Sequence, residues 1–340
     1  MLLGLFTILL AVLVLPFCFK KIEHNLEIFL FVMGVAAALL SQQMSWALGL
    51  EAIKEPIPIT LAVFLFGLLF KSLRGWLDKG IRHLLQIFPI PVFVFLLILI
   101  LGLASSIITA IIAALILAEV IGLLSLDKKH ETHLVIIACF AIGLGAVLTP
   151  IGEPLSTIAI GKLKSWPDAN FFTLARMLGV EVVAGVLALS VLSLFFHGKH
   201  STQGLNSDKQ EETYFDVVLR AVKIYFFVMA LIFLGQGFKP VIDQYVIPLS
   251  GDILYWINTL SAVLDNATLT AAEISPAMHP MQIKKLLMGL LISGGMLIPG
   301  NIPNIIAASK LKIKSKEWAK LGLPLGFVLM LIFFFILEME

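Results

Sequence analysis

Two short stretches, Thr149-Pro-Ile-Gly-Glu-Pro-Leu-Ser-Thr157 and Pro299-Gly-Asn-Ile-Pro-Asn304, decide the predicted fold. Each places Gly and Pro near the middle of a long apolar run. Because Pro removes a backbone donor and Gly weakens a helix, we expect each run to be a broken helix. Each stretch also leads into Lys-Leu-Lys and a Trp, at Trp166 and Trp318. The sequence therefore predicts one structural unit that occurs twice.

The composition places these helices in a membrane. Of the 340 residues, 59% are hydrophobic and 14% are charged, and the mean hydropathy is +1.02. Soluble domains carry about a quarter charged residues, and a soluble protein of this size has no interior large enough for such an apolar excess. The net charge of +2 gives no indication of a nucleic acid partner. We expect an all-α polytopic membrane protein that has the lipid bilayer as its partner and binds no nucleic acid.

Apolar runs of about the length that crosses a bilayer predict eight transmembrane helices. They cover residues 2–19, 27–48, 57–71, 133–162, 169–196, 214–235, 283–312 and 318–337. Two amphipathic stretches, 72–87 and 238–249, are expected to lie at the membrane interface.

Two further apolar segments, 89–124 and 250–278, are too long for a single span and have small polar residues at their middle. We interpret both as re-entrant hairpins, because non-helical backbone at membrane depth needs protein or water around it. Each hairpin precedes a broken helix. The predicted architecture is a pair of inverted repeats, each with a re-entrant hairpin and a broken transmembrane helix, as in transporters that bind near the midplane.

The domain boundaries follow from this pattern. They are N-terminal transmembrane helices at 1–56, a first inverted repeat at 57–197, a hydrophilic linker at 198–213 and a second inverted repeat at 214–340. Most Lys and Arg residues fall in connectors on one side, so the positive-inside rule places both termini outside. We expect the plasma (inner) membrane of a prokaryote, and the sequence leaves a homodimer open.

Asp265 and Asn266 lie at the predicted tip of the second hairpin. A charge near the middle of a bilayer costs about 2.5–3.5 kcal/mol on insertion scales, so Asp265 needs an ion or a proton. Together with Thr268 and backbone carbonyls, these side chains would supply the oxygen ligands that a hard cation prefers. The alternative is that they cap the helix that follows.

Glu153 lies in the first broken helix, between Gly152 and Pro154. We predict that it is a second titrating carboxylate and that Asp265, Asn266 and Glu153 bind the cation. The alternative is an acid that only stabilises the start of a helix through the helix dipole. Neutral ligands to the ion or proton are expected from Ser105, Ser106, Thr109, Ser156, Thr157, Asn301 and Asn304.

Three other acids fall within apolar segments. Glu181 is near the middle of a predicted span, where it is either a proton-relay group or a structural partner of another helix. Glu119 and Glu273 are on the return arms of the hairpins, and we expect water at the membrane edge to solvate them. The alternative for Glu273 is that it faces the transport pathway.

Two motifs carry a family resemblance. Ser261-Ala-Val-Leu-Asp-Asn266 and Thr149-Pro-Ile-Gly-Glu153 resemble motifs of the NhaD-type sodium/proton antiporters within the ion-transporter superfamily. The resemblance covers about residues 57–337. It implies that Asp265 and Asn266 match the family's hairpin acid and amide, and that Glu153 matches its first-loop acid. The first hairpin departs from the pattern, because its hydroxyl residues stand where relatives often have Asp-Asn or Ser-Asn-Thr.

The expected function is secondary active transport, with Na⁺ or Li⁺ exchanged for H⁺ through Asp265 and Glu153. We expect no enzymatic activity and no cofactor; Na⁺ is the transported or coupling ion. The alternative is a sodium-coupled carrier of a dicarboxylate, sulfate or oxyanion, which the same superfamily also contains. Its site would use neutral side chains and helix N-termini to bind the anion.

Overall fold

The computed structural model describes residues 1–340 except Ser125, 197–212, Ile247, Pro248, Asp265 and Glu340. The predicted ligand Asp265, the side chain of Thr268 and all of the predicted linker except Thr213 therefore lie outside the described residues. The rest of the chain consists of α-helices with short 3₁₀ and π-helical turns, and the described residues contain no β-strand.

The first part of the chain contains α1 (Leu2–Cys18), α2 (Lys20–His24), α3 (Leu26–Leu40), α4 (Trp46–Lys54), α5 (Pro56–Ile87), α6 (Ile90–Ile108), α7 (Ala110–Leu123), α8 (Lys128–Ala146), α9 (Pro154–Lys162) and α10 (Thr173–Ser193). The second part contains α11 (Tyr214–Val241), α12 (Gly251–Ile257), α13 (Asn266–Glu273), α14 (Pro280–Gly294), α15 (Ile302–Leu311) and α16 (Ser315–Glu338). A π-helical turn at Ile242–Val246 follows α11, and 3₁₀ turns lie at Asn258–Ala262 and Ile298–Gly300.

Several helices are long and apolar enough to cross a membrane. Among the described residues these are Trp46–Leu73, Ile90–Ile108, Thr173–Ser193, Tyr214–Val241 and Ser315–Glu338. Shorter apolar helices lie at Leu2–Pro16, Leu26–Leu40 and Ala110–Leu123. The protein is an all-helical, multi-pass membrane protein.

The predicted helix 27–48 is wrong beyond residue 40. The Ser41 hydroxyl donates to the Ala37 carbonyl at 2.8 Å, and Gln42 takes a positive φ of 58°, which ends α3. A new helix, α4, starts after Ser45, whose hydroxyl accepts a hydrogen bond from the Leu48 N–H at 3.1 Å. The chain therefore turns where the apolar pattern alone predicts continuous helix.

The amphipathic stretch 72–87 is continuous with the preceding span in a single helix, α5. No Pro interrupts residues 59–88, and Gly75 and Gly80 lie at open positions where a helix tolerates glycine. A change from an apolar to an amphipathic pattern therefore does not break this helix.

The first parts of the two broken helices form the centre of the protein. Nearly every side chain of α8 from Glu131 onward is buried, and α14 is buried from Lys285 to its end. The two helices pack against each other, and α6, α10 and α16 pack around α8. The breaks that follow α8 and α14 therefore lie at the ends of the most protected helices in the fold.

The helices α3, α4 and α5 pack along α11 in a layer beside this centre. The approach between α3 and α11 is close: a Cβ on Gly34 would lie 2.8 Å from the Ala230 carbonyl oxygen, and one on Gly237 would lie 2.7 Å from backbone and side-chain atoms of Ala37. Small residues at such crossings are typical of helix packing in membranes, where close van der Waals contact holds helices together.

Candidate ion-binding site

Residues 147–153 separate α8 from α9, in agreement with the predicted break. Gly152 lies against the end of α8, and a Cβ at this position would collide with the Ala146 carbonyl oxygen. The Ser156 hydroxyl donates to the same carbonyl at 3.4 Å. The turn thus folds back on the end of α8 and makes Glu153 the N-cap residue of α9, with Pro154 as the first helical residue.

The break between α14 and α15 closes by matching contacts. A Cβ on Gly300 would lie 2.5 Å from the Gly294 carbonyl oxygen. The side-chain amide of Asn304 donates to that carbonyl at 2.8 Å and to the Leu297 carbonyl at 2.9 Å. Asn301 is the N-cap residue of α15, and its side-chain oxygen accepts a hydrogen bond from the next backbone N–H at 2.8 Å.

Each contact in the second break lies 148 residues after its counterpart in the first. The pairs are Ala146 and Gly294, Gly152 and Gly300, Glu153 and Asn301, and Ser156 and Asn304. The two N-cap residues also share an extended backbone, with φ −156° and ψ 160° at Glu153 and φ −153° and ψ 149° at Asn301. The breaks therefore have the same geometry, and at the cap position they differ in chemistry, with a carboxylate in one and an amide in the other.

The centre of segment 89–124 is Thr109, which joins α6 to α7. Its φ of 74° is unusual for a residue with a side chain and costs on the order of 1–3 kcal/mol. The Ala110 N–H donates to the Gly152 carbonyl at 2.8 Å, which fixes this strained turn against the first break. The Ser105 hydroxyl donates to the Gly102 and Ile142 carbonyls at 2.6 and 3.1 Å.

The other hydroxyls of segment 89–124 are also satisfied locally. The Ser106 hydroxyl donates to the Leu103 carbonyl at 2.8 Å, and the Thr109 hydroxyl accepts a hydrogen bond from the Ile112 N–H at 3.3 Å. These groups hold the backbone in place. Ser106 uses its proton for this and can offer lone pairs to a ligand, whereas Thr109 uses one lone pair and keeps the other lone pair and its proton.

The centre of segment 250–278 contains Ser261 and Asn266. The Ser261 hydroxyl donates to the Leu290 carbonyl at 3.2 Å and also to the Asn266 side-chain oxygen. Leu290 lies 148 residues after Ile142, which accepts from Ser105 in the first half. Ser105 and Ser261 therefore occupy matching positions, and Asn266, the first residue of α13, follows Asp265 directly.

A cavity of about 410 Å³ lies where segment 89–124 meets the two breaks. Its polar lining includes Thr109, Glu153, Thr157 and Asn301, and we call it the Glu153 cavity. Glu153 itself is only 7% exposed, and the Thr157 hydroxyl donates to the Pro150 carbonyl at 2.6 Å. Four of the predicted site residues thus surround one cavity, with a carboxylate, hydroxyls and an amide as the oxygen donors that a hard cation prefers.

The two halves of the chain exchange contacts around this cavity. The helix α9, after the first break, packs against α13 of segment 250–278. In the same way α15, after the second break, packs against α7 of segment 89–124. A shift of either segment therefore moves it against the broken helix of the other half.

Residues 2–339 match the family described as "Protein of unknown function (DUF1646)". The chain belongs to the DUF1646 family. A comparison with curated proteins finds no match. The family match spans almost the whole chain and includes both breaks and both central segments.

In this DUF1646 chain Glu181 lies apart from the Glu153 cavity. Its carboxylate forms an ion pair with Lys284 at 2.7 Å, which joins α10 to α14. This is the contact expected of a structural partner of another helix. The proton-relay role stays a prediction.

A second cavity of about 1280 Å³ has many charged side chains in its lining. Glu119 of α7 is among them, and it pairs with Lys310 of α15 at 3.0 Å. Two more ion pairs of the lining are Lys128 with Glu131 at 2.8 Å and Lys223 with Glu27 at 3.0 Å. Glu119 is therefore buried and paired rather than solvated at a membrane edge. The sequence pattern does not reveal this ion pair, because the lysine comes from the other half of the chain.

Glu273 also differs from the expectation of a solvated acid. It is 2% exposed, and its Oε2 accepts a hydrogen bond from the side-chain amide of Asn258 at 3.0 Å. Sequence reasoning missed Asn258, which is 1% exposed in the 3₁₀ turn after α12. The signal that could have identified Asn258 is an amide within an otherwise apolar run, in the arm of the predicted hairpin opposite an acid.

Proposed function

We propose that the DUF1646 chain is built from two inverted repeats, each with a re-entrant hairpin and a broken transmembrane helix. The recurrence of the closing contacts at a constant offset of 148 residues supports a duplicated unit. The reciprocal packing of α9 on α13 and of α15 on α7 supports a two-fold relation between the halves. In such transporters the site lies where the discontinuous helices of both repeats meet.

We further propose that the protein is a secondary active transporter that exchanges Na⁺ or Li⁺ for H⁺. One observation carries this proposal: Glu153 is the N-cap residue of a helix inside the protein, and its buried side chain lines a cavity beside Thr109 and Asn301. A carboxylate with neutral oxygens around it binds a small hard cation. The same carboxylate also binds a proton, and because one excludes the other, the two flows are coupled.

Asp265 completes the proposed site from the second half. It precedes Asn266 at the start of α13, and α13 packs against the helix that Glu153 caps. We propose that Asp265 and Glu153 are alternately protonated and cation-bound, with Asn266, Thr268 and Asn301 as neutral ligands. Exposure to one side at a time would follow from movement of the hairpins and breaks against the layer formed by α3, α4, α5 and α11.

A sodium-coupled anion carrier is the second candidate, and one feature favours it. The N-terminal residues of both α9 and α15 line the Glu153 cavity, and helix N-termini attract anions. Glu153 opposes this function, because its negative charge caps one of those N-termini. An anion would therefore enter only together with a cation bound at Glu153.

A pH-dye assay in proteoliposomes tests these proposals against each other. Purified protein is reconstituted into vesicles, and a proton gradient is imposed across their membrane. Salts of Na⁺, Li⁺ and K⁺ are then added in turn, followed by sodium salts of a dicarboxylate and of sulfate. Exchange predicts proton movement on addition of Na⁺ or Li⁺ with any anion, and none with K⁺. Proton-independent uptake of labelled sulfate or dicarboxylate, driven by Na⁺, would instead establish the anion carrier. Absence of both activities would contradict the proposed function.

A further inference from the structure

One face of α13 carries a buried polar stripe. Asn266, Thr270 and Glu273 follow one another at spacings of four and three residues, which places them on the same side of a helix. All three are buried. Each has a buried polar atom that lacks a hydrogen-bond partner among the described residues, namely Asn266 Nδ2, Thr270 Oγ1 and Glu273 Oε1. Such atoms are rare in folded proteins and require a partner such as a bound water, an ion or a proton.

Glu273 lies at the C-terminal end of this stripe, away from Asn266. At 1.5 Å per residue the two are about 10 Å apart along the helix. The Asn258 amide uses both of its N–H donors, one on Glu273 Oε2 at 3.0 Å and one on the Leu286 carbonyl at 3.3 Å. The second contact fixes the amide so that its N–H groups, not its oxygen, face the carboxyl group of Glu273.

The surroundings of Glu273 offer no positive charge among the described ion pairs. Ionisable residues on the elements packed against α13 are Glu153 and Lys162 at α9, Tyr214, Asp216, Arg220, Lys223, Tyr225 and Lys239 in α11, Asp243 and Tyr245 in the π-helical turn, and Lys284 and Lys285 in α14. Lys284 pairs with Glu181, and Lys285 pairs with Asp252 and Glu338. Glu273 takes part in none of the described ion pairs, and the described partner of its carboxyl group is the neutral amide of Asn258.

The ends of two helices separate the roles of the two buried acids. Glu153 caps the N-terminus of α9, where the helix dipole favours a negative charge. Glu273 is the last residue of α13, where the dipole opposes a negative charge. An ionised carboxylate that is buried, has one neutral donor and lies at a helix C-terminus is unfavourable, and the simplest relief is a bound proton.

We propose that Glu273, positioned by Asn258, is a proton-binding site distinct from the Glu153 cavity and that it relays the exchanged proton between water and the site of Asp265 and Glu153. This inference rests on the proposed exchange function in its transport part only. The carboxylate takes up a proton from water and becomes the neutral acid. It passes that proton to Asp265 or Glu153 when the cation has left, and it takes the proton back when the cation binds. The Thr270 hydroxyl and the Asn266 amide extend the polar stripe from Glu273 to the tip of the second segment.

Infrared difference spectroscopy tests the proton-binding site without any transport. Spectra of purified protein at acid and alkaline pH are compared for wild type, Glu273→Gln and Glu119→Gln. The proposal predicts the carbonyl band of a protonated carboxylic acid, shifted in D₂O, which Glu273→Gln removes. Glu119→Gln is the matched control, because Glu119 is also buried but is paired with Lys310, and it leaves the band in place. Glu273→Asp should keep a band at a shifted position. A Glu273→Gln spectrum that retains every carbonyl band of the wild type would overturn the proposal.

Transport assays then test what the proton does. Exchange of labelled Na⁺ for unlabelled Na⁺ across the membrane needs no proton, whereas Na⁺-driven proton movement does. Glu273→Gln should retain the first and lose about 100-fold of the second, the scale of a lost proton-transfer group. Retained proton movement, or loss of both activities in a folded variant, would overturn the relay role. If wild type shows neither activity, the proposed exchange fails, while the infrared band still decides whether Glu273 holds a proton.

Discussion

The two breaks of the DUF1646 chain have the same backbone contacts but different side chains at the helix cap. In both, a glycine lies against the last carbonyl of the preceding helix, and a polar side chain four residues later donates to that carbonyl. At the cap, however, the first break has Glu153 and the second has Asn301. The backbone geometry of the first break therefore recurs in the second, but the acidic cap residue does not. The two halves consequently cannot have identical roles.

The two central segments extend this contrast. In segment 89–124 the hydroxyls of Ser105, Ser106 and Thr109 are engaged by the backbone. In segment 250–278 the side chains of Asn266, Thr270 and Glu273 keep buried atoms without partners in the described part of the chain. The first half thus contributes the buried carboxylate of Glu153 and the turn at Thr109. The second half contributes the polar stripe of α13, whose unpartnered atoms can still bind a proton or an ion.

The largest expected effect comes from removing the charge that distinguishes the breaks. Glu153→Gln keeps the shape of the cap and loses the carboxylate, so Na⁺-driven proton movement should fall by about 10–100-fold, the range for loss of a group that supports a metal site. The pH-dye assay in proteoliposomes measures it. Glu51→Gln, at an exposed position of α4, is the control and should behave like wild type. Full activity in Glu153→Gln would show that the asymmetry of the breaks has no role in transport.

A charge swap tests whether the breaks are equivalent. Glu153→Asn abolishes the acid, and adding Asn301→Glu places it at the matching cap of α15, which lines the same cavity. The double variant should recover part of the proton movement that the single variant loses, since the carboxylate again lies at a helix N-terminus beside Thr109. A double variant that folds and shows no recovery would contradict the equivalence of the two positions.

The closing glycines should be sensitive to a single methyl group. Gly152→Ala and Gly300→Ala each force a Cβ into the carbonyl of the preceding helix end, and we expect a loss of about 1–3 kcal/mol in stability. Thermal unfolding in detergent measures it. Gly161→Ala is the matched control, because nothing lies within 4 Å of the added Cβ; it should be neutral or stabilising by about 0.4–1 kcal/mol. Equal unfolding temperatures for the three variants would contradict the described closure.

The smallest effect separates the two side chains that close the breaks. Asn304 makes two hydrogen bonds of 2.8 and 2.9 Å and is fully buried, whereas Ser156 makes one of 3.4 Å. Asn304→Ala should cost about 1–3 kcal/mol by leaving the buried Gly294 carbonyl without this donor, and Ser156→Ala about 0.5 kcal/mol. The same unfolding assay ranks them. A larger loss for Ser156→Ala would reverse the account of which break depends more on its side chain.

The sequence predicts the all-helical membrane fold and both breaks well, for a local reason. Gly and Pro at 152–154 and 300–303 act on the backbone where they stand, so the break is readable without knowing any neighbour. The end of α3 at Leu40 is different, because it depends on a back-bonded Ser41 and a positive φ at Gln42 that the apolar pattern does not reveal.

The candidate site is predictable only in part. The sequence singles out Thr109, Glu153, Thr157 and Asn301, and these residues line one cavity. It does not predict that Glu119 meets Lys310 or that Glu273 meets Asn258, because those contacts join segments whose relative position depends on tertiary packing. The positions of Glu119 and Glu273 in the predicted hairpins favoured solvation at the membrane edge. In the structure, packing by other helices buries both side chains.

The most direct test of the central claim is equilibrium binding of radioactive Na⁺ to the purified protein across a range of pH, with wild type and Glu153→Gln side by side. We predict saturable binding to wild type whose apparent affinity falls as the pH is lowered, because protons compete for the same carboxylate, and binding to Glu153→Gln that is weaker by about 10–100-fold. Binding of Na⁺ that is independent of pH, or that is undiminished in Glu153→Gln, would contradict the assignment of the Glu153 cavity as the cation site.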